Sequence, residues 1–162
     1  MRIFSLAFIC WIFPVICLAA PLGYNGLNIG ISRESAERKL ADLDCRNYPE
    51  CEYNDTIKGE LVLVKLRFED NRLVQVDLIF STEDFPVIKN ALIRKRGNPT
   101  KVKDVIYQDA SNARSEYHEL LWTLRDGSIT ADEFYFTVDT QKIGRVSIVG
   151  KGVTPKKLVQ EY

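Results

Sequence analysis

The residues that could carry chemistry in this chain are few: four cysteines, one histidine, and a scatter of serines and carboxylates. A weak nucleophile needs a base to activate it, and His118 is the single histidine, so any Cys–His or Ser–His couple depends on this one imidazole. His118 alternates with Leu120 and Trp122, the pattern of a partly buried sheet histidine rather than of a general base. Ser111, Ser115 and Ser128 lie in no nucleophile-elbow pattern. Asp132-Glu133 and Glu116 with Glu119 bring carboxylates close together. Glycoside hydrolysis uses such pairs, but it needs a cleft and a set separation, and on strands and loops these acids are expected to be solvated. No glycine-rich phosphate loop and no calcium-loop spacing occurs. The expectation is a protein that is not an enzyme, with no catalytic residue, no cofactor and no metal.

Binding chemistry has three candidate locations. The first is a ring. Cys10 and Cys17 lie in an apolar N-terminal segment, which leaves Cys45 and Cys51 as an even pair, expected to form a structural disulfide. Its spacing is not that of a Cys-x-x-Cys redox pair, and with one histidine no zinc site can be completed. Closing Cys45-Arg46-Asn47-Tyr48-Pro49-Glu50-Cys51 contributes about 2 kcal/mol in the loop-entropy model. Arg46 and Tyr48 in the ring, and Tyr53 beyond it, are residue types enriched at interface hot spots, and the ring would lower the ordering cost of binding.

The second location is basic. Lys89, Arg94, Lys95, Arg96, Lys101 and Lys103 follow one another with no acid until Asp104. Arg94, Arg96 and Lys101 are candidate contacts for an anionic partner, although cations at a helix C-terminus also complement the helix dipole. The third is the polar side of a hairpin, with Lys65, Arg67, Gln75 and Asp77.

The elements that would position these groups are legible in part. Over residues 60–80, Val62, Val64, Leu66 and Phe68 are answered by Val76, Leu78 and Phe80 across the turn formers Glu69-Asp70-Asn71-Arg72. That is a β-hairpin with one buried and one wet face. Before it, Ser32 can cap a helix over 33–43 that buries Ala36, Leu40 and Leu43, and residues 44–56 read as a polar loop holding the ring and two exposed tyrosines, Tyr48 and Tyr53. After it, a helix begins in 81–86, buries Phe85, Ile88 and Leu92, and stops at Gly97 and Pro99. Strands are expected over 101–107, 119–124, 129–138 and 143–149, with Asp126-Gly127 as a hairpin turn.

This order predicts an α+β fold: two helix-then-antiparallel-sheet units, 22–80 and 81–150, sharing one continuous sheet with the helices packed on one face. The single domain would span 21–150, with 151–162 a loosely held tail. Residues 1–20 carry Arg2, an apolar run, and the small residues Ala19 and Ala20, as a secretory signal cleaved near Ala20 does. The run is short for a membrane span, which takes about 20 apolar residues. Removing those 20 residues from 162 leaves 142, with 21 basic against 22 acidic side chains. That balance gives no general attraction to nucleic acid. The expected location is secreted or periplasmic, with no integral membrane segment after cleavage, and the expected partner is another exported or envelope protein.

Gly30-Ile31-Ser32-Arg33-Glu34 resembles the opening of the first helix in the small outer-membrane assembly lipoproteins (SmpA/OmlA, or BamE-like), and Lys95-Arg96-Gly97-Asn98-Pro99 resembles their glycine-x-proline closure. The wider group includes the β-lactamase inhibitory proteins. The chain departs from these lipoproteins in having no lipid-box cysteine, and its two motifs fall in different halves. The resemblance implies an exported binding module and carries no enzymatic chemistry with it. Two functions are expected to compete: a non-catalytic binding or envelope assembly-accessory protein, and an inhibitor of a hydrolytic enzyme that uses the Cys45–Cys51 loop.

Overall fold

The computed structural model describes residues 21–108, 114–135 and 142–156, without the side chains of 105–108, 114–117, 134, 135 and 142. The expected signal over 1–20, the centre of the loop over 108–115 and all but the last residue of the turn over 139–142 lie outside the described residues.

A two-stranded ribbon, β1 (Gly23–Tyr24) and β2 (Leu27–Asn28), precedes α1 (Arg33–Lys39). Then come β3 (Glu50–Ile57), β4 (Glu60–Glu69) and β5 (Arg72–Ser81), a 3-10 turn (Thr82–Asp84) and α2 (Phe85–Arg96). The last strands are β6 (Lys101–Gln108), β7 (Arg114–Leu124), β8 (Gly127–Tyr135) and β9 (Lys142–Gly150). Strands β3 to β9 form one seven-stranded sheet in the order β3-β4-β5-β9-β8-β7-β6, with every neighbouring pair antiparallel.

The turns follow from local chemistry. Asn25-Gly26, Lys58-Gly59 and Asp70-Asn71 all have positive φ at both positions, as a two-residue type I′ hairpin loop demands. The period of two then sorts the side chains. Val62, Val64, Leu66, Phe68, Val76, Leu78 and Phe80 are buried on one face, and their register partners continue that face through Val146, Ile148, Ile129, Ala131, Leu120 and Trp122. Gly144 stands opposite Phe80, where a Cβ would lie 2.3 Å from the Phe80 ring, so the aromatic ring occupies the place of a side chain.

The expected α+β architecture of two helix-then-sheet units is overturned. The described residues are mostly β: one seven-stranded antiparallel sheet and a two-stranded ribbon, with two short α-helices. Helix α1 has seven residues and buries only Ala36, too little to serve as the helical layer of a first unit. The residues expected as loop over 44–56 include β3, which pairs with β4 along its whole length, and the closing meander has four strands. Helix α2 carries the chain from β5 to the edge strand β6, and Trp122 Nε1 donates to the Gly97 carbonyl at 2.8 Å, fixing the C-terminal end of α2 to β7. Gly97 ends the helix with φ 82°, a conformation glycine adopts without a Cβ penalty. Among the described residues no helix is long and apolar enough to cross a membrane.

Candidate binding surface

The polar face of the hairpin aligns as its alternation dictates, with Lys65 opposite Asp77 and Arg67 opposite Gln75. It is not bare. The Thr154 carbonyl accepts from Arg67 at 2.9 Å, Lys156 N–H donates to Gln75 Oε1 at 3.1 Å, and the Lys156 ammonium meets Glu50 at 2.7 Å. Gln75 is 1% exposed and donates to Asp77 at 2.7 Å and Ser147 at 3.3 Å. Burial raises the pKa of the Asp77 carboxyl above the ordinary carboxylate range, opposed in part by the Ser147 hydrogen bond, Arg145, Gln75 and Arg67. Beside it, Arg145 donates to Asp132 Oδ2 at 2.8 and 3.2 Å, with side chains 6% and 0% exposed. Asp132 is thus a buried half of an ion pair and not the solvated acid expected. This face is organised around the chain's own tail.

The Cys45–Cys51 disulfide is formed, and reciprocal backbone hydrogen bonds of 2.8 Å between Asp44 and Glu52 enclose the ring. Arg46 projects into solvent, but its guanidinium and its backbone N–H both bind Asp44. Those hydrogen bonds, led by the side-chain one, hold the Asp44 carboxyl below its usual range. Tyr48 is 46% exposed, with the Arg33 guanidinium 4.9 Å from its ring centroid, a cation–π arrangement. Tyr53, expected to be exposed, is instead buried on the apolar face opposite Val64. Burial first and the Asp55 charge second push its phenol up to about 12.

The basic stretch divides between two sides of the sheet. Lys101 and Lys103 are in register with Leu121 and Glu119, on the polar side of edge strand β6. Arg94, Lys95 and Arg96 form the last turn of α2, where Arg96 also donates to the Pro21 carbonyl at 3.5 Å. Beneath this turn is a cavity of about 170 Å³, floored by Leu78, Ile129, Val146 and Ile148, with Lys58, Lys95 and Arg96 among its lining residues. Val87, Ile88, Ala91 and Leu92 form its α2 wall.

Sequence reasoning missed the cavity and Lys58, because the β3–β4 turn that presents Lys58 falls between the loop expected over 44–56 and the hairpin expected over 60–80. The sequence signal that could have found it is small Ala91 in a helix face of larger side chains. His118 is half-exposed and bonds Asp104 across β6 and β7. Among the described residues no group of three or more His, Cys, Asp or Glu side chains comes together to hold a metal. No protein-family model, curated protein or solved structure matches the chain, so the resemblance to assembly lipoproteins and inhibitory proteins rests on the two short motifs that carry it.

Proposed function

We propose that the chain is an exported, non-catalytic binding module that meets another secreted or envelope protein through the cationic end of α2. One observation carries this reading. Lys58, Lys95 and Arg96 are among the residues lining an apolar cavity, and on the opposite face Gln75, Asp77 and Arg145 form a network with one another and with Lys156. An apolar recess with a charged rim combines the burial that gives affinity with the charge that gives orientation. Export is supported by the N-terminal sequence pattern and by the disulfide. Affinity capture from an envelope extract tests the proposal: the native protein retains a partner that the Lys95→Glu/Arg96→Glu variant loses. Equal retention by both would refute it.

The inhibitor reading keeps one observation in its favour, the exposed Tyr48 on a ring locked by the disulfide and by the Asp44–Glu52 hydrogen bonds. If that ring is the contact, Tyr48→Ala abolishes capture while the α2 variant leaves it intact.

A further inference from the structure

The cavity beneath α2 remains unfilled for identifiable reasons. Residues 87, 91 and 95, and residues 88, 92 and 96, form two i, i+4 rows along the helix. Ala91 puts only a methyl group at the centre of the first row. The sheet cannot close the gap, since Leu78, Ile129, Val146 and Ile148 already occupy the core face of β5, β8 and β9. Val87 on the rim is left 42% exposed, so the apolar lining continues outward to solvent.

Each row ends in a cation, Lys95 or Arg96. A third cation, Lys58, comes from the β3–β4 turn with φ 55°, at a position where Asn, Asp or Gly is the usual solution. The helix C-terminus itself favours cations, but its Gly97 carbonyl is taken by Trp122, and three basic side chains crowd the last turn. Asp55, two residues before Ile57 on β3, has its carboxylate bound by the Tyr24 hydroxyl at 2.9 Å and by the Asn25 amide at 3.3 Å. The result is a recess with an apolar interior and a cationic mouth.

We infer that this recess binds a single-chain anionic amphiphile of the fatty-acid type, with its chain between α2 and the sheet and its head group among Lys58, Lys95 and Arg96. The inference rests on the reading of this end of α2 as the contact surface and names a small ligand for it. A closed apolar cavity of about 150 Å³ admits a benzene molecule. A recess of about 170 Å³ therefore takes the first several carbons of a chain, and its open mouth lets the rest emerge. The anionic head distinguishes this ligand from a neutral apolar one, and the narrow recess distinguishes it from a membrane surface.

The test is isothermal titration of the purified protein at low salt with hexanoate, octanoate and decanoate below their micellar concentrations. Affinity is expected to rise about fourfold per methylene, as burial of each CH₂ dictates, until the recess is full. Octanol should bind at least about tenfold more weakly than octanoate, the loss of roughly one charge contact. Octyl phosphate, compared with octanoate, tells which anionic head the three cations prefer. Ala91→Leu, which fills the recess, should abolish octanoate binding, with circular dichroism confirming the fold. Lys58→Glu, on an exposed turn outside the core, should weaken binding at least about tenfold without any repacking.

Equal binding of octanol and octanoate, or octanoate binding unaffected by both Ala91→Leu and Lys58→Glu, overturns the inference. So does attachment to vesicles of anionic phospholipid with no uptake of the free acids. Failure to bind octanoate while α2-dependent protein capture persists removes the amphiphile and leaves the contact surface standing; loss of both removes both.

Discussion

Arg145 and Asp132 face each other across β8 and β9 with almost no solvent exposure, so neither charge can turn to water if the other is removed. Replacing one member of a buried pair costs about 3–5 kcal/mol, while replacing both with apolar residues of similar volume is often neutral. Chemical denaturation of Arg145→Met is therefore expected to show a loss in that range, with most of it recovered in Asp132→Leu/Arg145→Met. A double variant as unstable as the single would contradict the pairing. Asp77 behaves in the opposite sense. Its pKa is raised on folding, chiefly by burial, so its contribution to stability is fully present below its unfolded value of about 3.9 and is lost as pH rises through the folded value. Unfolding measured at pH 7 and at pH 4 should show the native protein gaining on Asp77→Asn as the solution is acidified. A shift the other way would mean that the neighbouring guanidiniums outweigh burial.

Individual elements differ in how openly the sequence declares them. The hairpin of β4 and β5 was legible because its inward positions are all large and apolar. Strand β3 obeys the same period, with Cys51, Tyr53 and Ile57 inward, but Asp55 interrupts the pattern and its carboxylate is accommodated by Tyr24 and Asn25 of the β1–β2 ribbon. The stop of α2 was legible in Gly97, whereas its anchor through Trp122 was not, since an indole on a strand does not reveal its hydrogen-bond partner. Residues 154–156 gave no signal either, because the groups that cover the polar face include the Thr154 and Lys156 carbonyls, which every residue possesses. Strand β9 is a case where one atom decides. Gly144→Ala drives a Cβ into the Phe80 ring, and overpacking of this kind costs about 1–3 kcal/mol. A melting temperature unchanged by Gly144→Ala would show that Phe80 has room to move.

For the whole molecule, the pairing of β5 with β9 joins two meanders into one sheet. No local pattern sets the register of that contact between residues 75–81 and 143–149; it supplies the continuous sheet that was expected, whereas the expected helical layer of two helix-then-sheet units is absent from the described residues. The consequence is a sheet with unlike faces. One is polar and engaged with residues 154–156; the other is apolar and leaves a cation-rimmed recess beneath α2. The β6 edge alternates Lys101 and Lys103 with Val102, a charge pattern that discourages further strand pairing. The central claim is that recognition takes place at the α2 end and not on the polar face or the disulfide ring. Site-specific photo-crosslinking in an envelope extract tests it most directly, with the reactive group placed in turn at Val87, Lys65 and Tyr48. The account predicts an adduct from Val87 and none from Lys65 or Tyr48; adducts from Lys65 or Tyr48 with none from Val87 would contradict it.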